Sequence, residues 1–125
     1  SSVETAHSIK QFERSLNSLM AFLKICSVAI DQTSQDQRVY IFGSSIGARW
    51  TFSNLTTQRK RKVIGFIDDD ISRYDSLIDG RPICDFSTLK RRDLVLIPGV
   101  PSLVDKCRVR AQGLGVNVVG FDYVG

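Results

Sequence analysis

The segment that decides the fold class is RVYIFGSSIGAR, residues 38–49. Its first five residues form a nearly continuous apolar run, rich in β-branched and aromatic side chains, which is typical of a strand buried on both faces of a parallel sheet. The small residues that follow predict a tight turn, and residues 46–58 are predicted to continue as a helix. The segment therefore predicts the first strand–turn–helix unit of an α/β domain.

Strands and helical stretches alternate along the rest of the body. Residues 62–67, 82–84, 93–97 and 116–121 are predicted strands. The strand at 82–84, the third in chain order, is predicted to be an edge strand because it contains Pro82. Residues 70–80 are predicted as a loop with a turn at Asp79-Gly80, and residues 86–91 and 101–113 as helical, with Asp85 or Ser87 capping the first. Right-handed crossovers then give a mostly parallel sheet of order 3-2-1-4-5, with helices on both faces, which is a Rossmann-like fold.

A long amphipathic helix is predicted over residues 3–30. Its apolar positions alternate three and four residues apart, the a/d rhythm of a heptad repeat, and they are Ile9, Phe12, Leu16, Leu19, Leu23, Cys26 and Ile30. The stripe either packs on the chain's own domain or pairs with a second copy. The polar residues 31–37 would let the helix stand away from the body, so we expect a homodimer formed at least partly through residues 9–26.

Two regions follow from this division. Residues 1–37 are the helix and its polar linker, and residues 38–125 are the predicted nucleotide-binding domain. The chain has 125 residues, enough for one sizeable core. Because its first residue is Ser, we expect a piece of a longer protein.

The composition of the chain indicates which classes of binding partner are favoured. The net charge of +4 suits phosphorylated ligands and also weak nucleic-acid contact. Nucleic acid is not favoured, because the basic run at residues 59–62 is predicted to be a solvated turn. No apolar run approaches the roughly 20 residues that span a bilayer, so no membrane partner is expected. Cys26, Cys84 and Cys107 show no paired spacing, which favours buried free thiols, a reducing compartment and a cytoplasmic location.

The predicted site is a phosphate cradle at the point where the strand order reverses, between the first and fourth strands. Residues 43–49 and 98–101 form its two lips, and the helix that begins after Gly43 aims backbone N–H groups at an anion. The loop matches the dinucleotide fingerprint G-x-G-x-x-A at Gly43 and Ala48, whereas Ser45 replaces the second glycine. The alternative is that Gly43 only makes a tight turn. The predicted cofactor-binding residues are Gly43, Ser44, Ser45, Ile46, Gly47, Ala48, Arg49, Asp68, Asp69, Pro98 and Gly99.

The three acidic residues after the second predicted strand are the second element of the site. An acidic residue about 20 positions beyond the fingerprint commonly bonds a ribose hydroxyl, and Asp68 has that place. A solvated turn or helix cap is the main alternative. A metal site is disfavoured because no His lies near in sequence. The chain shows no catalytic triad, no metal-ligand spacing and no G-x-x-x-x-G-K-[ST] loop, so no catalytic residue is assigned.

Three segments together resemble a known group of domains. VYIFG at residues 39–43, VIGFIDDD at 63–70 and IDGRPI at 78–83 resemble the N-terminal Rossmann-like domains of bacterial polysaccharide-biosynthesis proteins. These include nucleoside-diphosphate-sugar epimerases and dehydratases and sugar-nucleotide acyltransferases. A related domain closes the sugar C-methyltransferases, where an amphipathic helix also precedes the first strand. The resemblance covers about residues 38–121.

The resemblance implies a module that binds a nucleotide-containing small molecule and is not catalytic alone, as a domain or fragment of a larger enzyme. The cofactor stays open between NAD(P) and a nucleotide-sugar. Two other functions also stay open. One is a small NAD-linked oxidoreductase, and the other is an oligomerisation or regulatory module with a degenerate site.

Overall fold

The chain alternates strands with helices through most of its length. The structure, a computed structural model, describes residues 1–121, 123 and 124. Its helices are α1 (Ser2–Asp31), α2 (Ile46–Ser53), α3 (Thr57–Lys62) and α4 (Pro101–Ala111), with short 3₁₀ helices at Ile71–Arg73 and Phe86–Thr88. Its strands are β1 (Val39–Phe42), β2 (Val63–Ile67), β3 (Leu77–Ile78), β4 (Arg81–Cys84), β5 (Leu94–Ile97), β6 (Asn117–Gly120) and β7 (Tyr123–Val124).

The strands form one mostly parallel sheet of order β3-β4-β2-β1-β5-β6-β7. The predicted α/β class and the long N-terminal helix are confirmed. The strand order differs from the predicted five strands, which occupy β4-β2-β1-β5-β6, because β3 and β7 pair antiparallel at the two edges. β4 is therefore not the edge strand that Pro82 suggested. The loop predicted before it contains β3, a strand of only two residues that no periodicity could reveal.

The two faces of the sheet carry separate apolar clusters. β1 is buried at all four positions, as predicted, and its side chains alternate between the faces. Val39 and Ile41 join a cluster with α1 and α2, whereas Tyr40 and Phe42 join a cluster with α4. Helices on both faces of a parallel sheet bury the strands that end at the site.

An ion pair between half-buried Arg38 and buried Asp93 holds the start of β1 beside the start of β5. Arg38 donates from Nε and Nη2 to the two carboxylate oxygens of Asp93 at 2.9 and 2.6 Å. The backbone N–H of Lys90 also donates to Asp93, whose side chain is 3% exposed. No local motif indicates this pair, whose members lie 55 residues apart and hold the two strands whose carboxyl ends form the predicted crevice.

The helix predicted over residues 46–58 is in fact two helices. α2 ends at Ser53, and Thr56 starts α3 by accepting a hydrogen bond from the backbone N–H of Arg59. The basic run at 59–62 is therefore the end of a helix and not a solvated turn. Arg59 pairs with Asp31 of α1 at 2.7 Å. The helical stretch predicted at 86–91 is only the 3₁₀ helix Phe86–Thr88, capped by Asp85.

Only the last third of α1 packs on the body. Phe22, Cys26 and Ile30 are buried in the cluster with α2, and Leu23 packs against it, so the linker does not hold the whole helix away as predicted. The predicted self-pairing stripe over residues 9–26 is available only up to residue 20, because residues 1–20 are exposed. A 30-residue helix is about 45 Å long, whereas a four-residue strand spans about 13 Å. α1 must therefore overhang the sheet.

The overhang lies at the carboxyl ends of the strands. The last turn of α1 lies beside Leu94 and Asn117, where β5 and β6 begin. Phe22, two turns earlier, lies beside Pro98, directly after β5 ends. α1 thus runs antiparallel to the strands, and its first twenty residues project past the edge where the predicted site lies.

Candidate functional site

A cleft of about 580 Å³ lies at the point where the strand order across the sheet reverses. β1 and β5 are parallel neighbours, and the connections that follow them lead to opposite sides, one to β2 and the other to β6. Gly47 lies on one side of the cleft and the segment from Pro98 to Pro101 on the other. The cleft therefore lies between the two predicted lips, at the point where ligands bind in open α/β sheets.

The third wall of the cleft comes from α1. Arg14, Ser15, Ser18, Leu19 and Phe22 line it opposite the two loops. None of these residues was predicted to belong to a site. The length of the predicted helix could have revealed them, because a helix so much longer than the strands must cover one end of the sheet.

The turn after β1 explains the first glycine of the fingerprint. Gly43 has φ +95°, a conformation that side chains rarely adopt, and its N–H donates to the carbonyl of Ile67. A Cβ at Gly43 would lie 3.8 Å from the Cβ of buried Ala48, which is an ordinary contact, so the backbone conformation and not a close approach favours glycine here. Ser45 has φ −89° and so needs no glycine.

The start of α2 faces the cleft. Ser45 is the N-cap residue, and in the described part of the chain no side chain caps this helix. The first-turn N–H groups of a helix have no intrahelical partner, and the helix dipole favours an anion there. Gly47 is in this first turn, and Arg49 donates from Nε to the carbonyl of Ser44 at 2.9 Å. Ile46 is exposed.

Asp68 joins the cradle through a serine. The Ser44 hydroxyl, which is buried, donates to Oδ2 of Asp68 at 2.5 Å, and the backbone N–H of Asp70 donates to Oδ1 at 2.9 Å. Arg73 donates from one guanidinium nitrogen to the hydroxyls of Ser44 and Ser45, at 2.9 and 3.0 Å. The loop after β1 and the loop after β2 thus contact each other at the carboxyl ends of these two neighbouring strands.

Arg73 is a cation at the turn that was not among the predicted site residues. It follows β2 by six residues, and β2 is the direct neighbour of β1. The carboxyl ends of adjacent parallel strands lie at the same edge, so every charged residue in the loop after β2 was a candidate for the cradle. Arg73 was not predicted because it lies far from the fingerprint in the sequence.

The other two acidic residues point to different partners. Both carboxylate oxygens of Asp69 accept from Arg110 at 2.8 and 3.0 Å, and this hydrogen bonding lowers the pKa of Asp69. Asp70 caps the 3₁₀ helix by accepting from the Ser72 backbone and hydroxyl, and the hydroxyl bond is the main cause of its lowered pKa. Among the described residues no group of three or more acidic, His or Cys side chains can hold a metal.

A second cavity, of about 650 Å³, lies at the opposite end of the sheet between α1 and α3. Asp31 and Arg59 line it, and they bind each other at 2.7 Å. The Lys62 ammonium in its wall donates to the carbonyl of Ser34 at 2.8 Å. Its charged groups therefore tie α1 to α3, and the cavity lies away from the carboxyl ends of the strands.

The chain matches no protein-family model, no curated protein and no solved structure. Within the described residues, no helix combines the length and the apolar character needed to cross a bilayer. Cys26 and Cys107 are buried free thiols, and Cys84 is half-buried. Burial raises the pKa of the Cys26 thiol to about 12 and that of Cys107 to about 11, so both are unreactive near neutral pH.

Proposed function

We propose that this chain is a Rossmann-type binding module for a nucleotide or nucleotide-sugar. The ligand's phosphate lies at the turn between β1 and α2, and the rest of the ligand lies in the cleft between Gly47, the Pro98–Pro101 segment and α1. The observation that carries the proposal is the coincidence of that cleft with the reversal of strand order. A volume of about 580 Å³ is in the range of small-molecule sites.

The phosphate would be held by backbone and cationic groups. The first-turn N–H groups of α2 supply donors, and the helix dipole adds a favourable field. Arg73 stands 3.0 Å from the Ser45 hydroxyl and adds a charge-assisted donor at the same turn. Arg49 is exposed in α2 and adds positive charge near the loop.

Asp68 would hold the ribose. A carboxylate has about four lone-pair sites, and the bonds from Ser44 and from the Asp70 N–H use two of them. The remaining sites can accept bonds from a diol. Ser44 fixes the carboxylate beside the cradle, and that position suits a group that bonds the sugar next to a bound phosphate.

The cleft itself would take the part of the ligand beyond the phosphate. Leu19, Phe22 and Val100 give it apolar walls suited to a ring face. Ser15 and Ser18 place hydroxyls on the α1 side, and Arg14 adds a cation there. This mixture fits a sugar or a second nucleoside, which present both apolar faces and hydroxyls.

The parent protein would belong to sugar-nucleotide or polysaccharide biosynthesis in the cytoplasm, as the GFIDDD resemblance implies. The module would bind and the chemistry would belong to another domain. NAD(P) and a nucleotide-sugar are the two ligands to compare.

One observation favours a second function, an oligomerisation or regulatory module with a degenerate site. Ser44 bonds both Asp68 and Arg73, so the polar side chains around the turn already have partners without a ligand. Ser45 also stands where the fingerprint has its second glycine. A site of this kind would bind none of the nucleotides.

Calorimetric titration with NADH, UDP-glucose, UDP and coenzyme A separates the two functions. We expect saturable binding of at least one of these four compounds. Arg73→Gln should weaken it about 10-fold or more, because a hydrogen bond to a charged group contributes roughly 1.5–3 kcal/mol. Arg61→Gln removes the same charge from exposed α3 and should leave binding unchanged. Absence of binding by all four at millimolar concentration would favour the degenerate module.

A further inference from the structure

The projecting part of α1 carries a contiguous apolar stripe. We call Ile9, Phe12, Leu16, Leu19 and Met20 the arm stripe, and these residues are 53%, 68%, 43%, 43% and 54% exposed. Single exposed apolar residues are normal on proteins. Five large ones on one helix make a patch of the kind that marks an interaction site.

The arm stripe and the cleft use neighbouring sides of the same helix, and Leu19 lies at the border between them. Successive residues of a helix are separated by about 100°. Ser15, Ser18 and Phe22 share the side that overlooks the cleft, and the centre of the arm stripe lies roughly a third of a turn away. A partner can therefore cover Ile9, Phe12 and Leu16 while Ser15 and Ser18 still face the cleft.

We propose that a second copy of this chain covers the arm stripe, so that two α1 helices pair beside the two clefts. The stripe is narrow and follows the a/d spacing, and that pattern suits another helix better than a broad surface. It also continues from the side of α1 that packs on the body, where Leu23 and Cys26 join the core. The repeat is thus intact where the helix leaves its own sheet.

The charge of the arm supports a like partner. Residues 1–20 contain the acidic side chains Glu4 and Glu13 and the basic side chains Lys10 and Arg14, so their side-chain charges cancel. Two such arms do not repel each other. A helix that binds anionic lipid is instead rich in Lys and Arg on its polar face, and this arm has only two such residues.

The available area is sufficient for a dimer. A large apolar side chain buries on the order of 200 Å², so five that are about half exposed offer roughly 500 Å² per copy. Two copies would bury about 1,000 Å² through these residues alone, which reaches the size that a specific interface needs. Flanking polar side chains add to it.

Sedimentation equilibrium of the full chain tests the proposal. We expect the wild type to dimerise in a concentration-dependent way at micromolar concentration. Phe12→Glu with Leu16→Glu places like charges in the stripe and should give a monomer. At concentrations where the wild type is also monomeric, the variant should unfold at the same temperature, because both residues are exposed. Val3→Glu, an exposed apolar position of the arm outside the stripe, is the matched control and should still dimerise.

Three results would overturn the proposal. One is a wild type that stays monomeric at high micromolar concentration, and another is a dimer that survives the double substitution. The third is a monomer that sediments with phosphatidylglycerol vesicles and loses this binding in the double variant, because the arm would then be a lipid anchor. None of these results bears on nucleotide binding, which the calorimetric titration measures separately.

Discussion

Replacing Gly47 with leucine should separate ligand binding from stability. Gly47 lies in the first turn of α2 and lines the cleft opposite Pro98. A Cβ there would meet the Cβ and carbonyl oxygen of Pro98 at 3.8 Å, which is ordinary contact. The backbone therefore accepts a side chain, and the larger leucine has to extend into the cleft.

Gly47→Leu should increase the stability of the chain and decrease its affinity for the ligand. Glycine in a helix is less favourable than alanine or leucine by roughly 0.5–1 kcal/mol, so Gly47→Leu should raise the free energy of unfolding by about that amount. If the side chain excludes roughly 100 Å² of ligand surface from contact, binding loses about 2.5 kcal/mol. That loss corresponds to about 10- to 100-fold in affinity.

Urea unfolding and calorimetric titration with the ligand found for the wild type measure the two effects. Gly47→Ala is the matched control, because it gives the same helical gain with only one added carbon and should change affinity by less than about threefold. A folded Gly47→Leu protein that binds as tightly as the wild type would show that the ligand lies outside the cleft.

Three further changes test the turn, the ribose contact and the core. Gly43→Val should weaken both binding and stability, since a β-branched residue at φ +95° is strained by about 1–3 kcal/mol; equal binding by the folded variant would mean the cradle is wrongly placed. Asp68→Ala should cost about 1–3 kcal/mol of nucleotide affinity, and it should also lower the free energy of unfolding by about 1 kcal/mol because the buried Ser44 hydroxyl loses its acceptor. A large loss of stability at unchanged affinity would instead make Asp68 structural. Burial raises the pKa of the Cys26 thiol from 9.0 to about 12, so the thiol loses its proton at lower pH in the unfolded state than in the folded state. The contribution of this thiol to the free energy of unfolding is fully present below pH 9. That free energy should fall by about 1.4 kcal/mol per pH unit from pH 9 towards 12. Cys26→Ala should show a shallower decline over this range in pH-dependent urea unfolding, and an unchanged slope would contradict the assignment.

The strong periodic patterns predicted most of the fold. β1 has an unbroken apolar run because both faces of the sheet are covered, and α4 begins at Pro101 as its fixed φ suggests. The errors fell where local signals are short. β3 has two residues and is stabilised by its pairing with β4 across a turn in which Asp79 and Gly80 both have positive φ. Such a strand leaves no pattern of its own in the sequence.

The sequence placed residues at the candidate site only where the signal is local. The lips of the cleft follow from strand ends, and Asp68 follows from its spacing to the glycine turn. Arg73 and the α1 residues that line the cleft could not be read from a motif, because they reach the site through the packing of separate elements. The same holds for Asp69, whose partner Arg110 lies 41 residues away.

Amide chemical shifts of the ¹⁵N-labelled chain test the central claim most directly. The chain would be titrated with UDP-glucose and, separately, with NADH. We predict that at least one of them shifts the amides of residues 44–47 in the cradle and of residues 99 and 100 across the cleft, with a single saturation curve. Shifts confined to the cavity beside Asp31 and Arg59, or no shifts with either compound at millimolar concentration, would contradict the account.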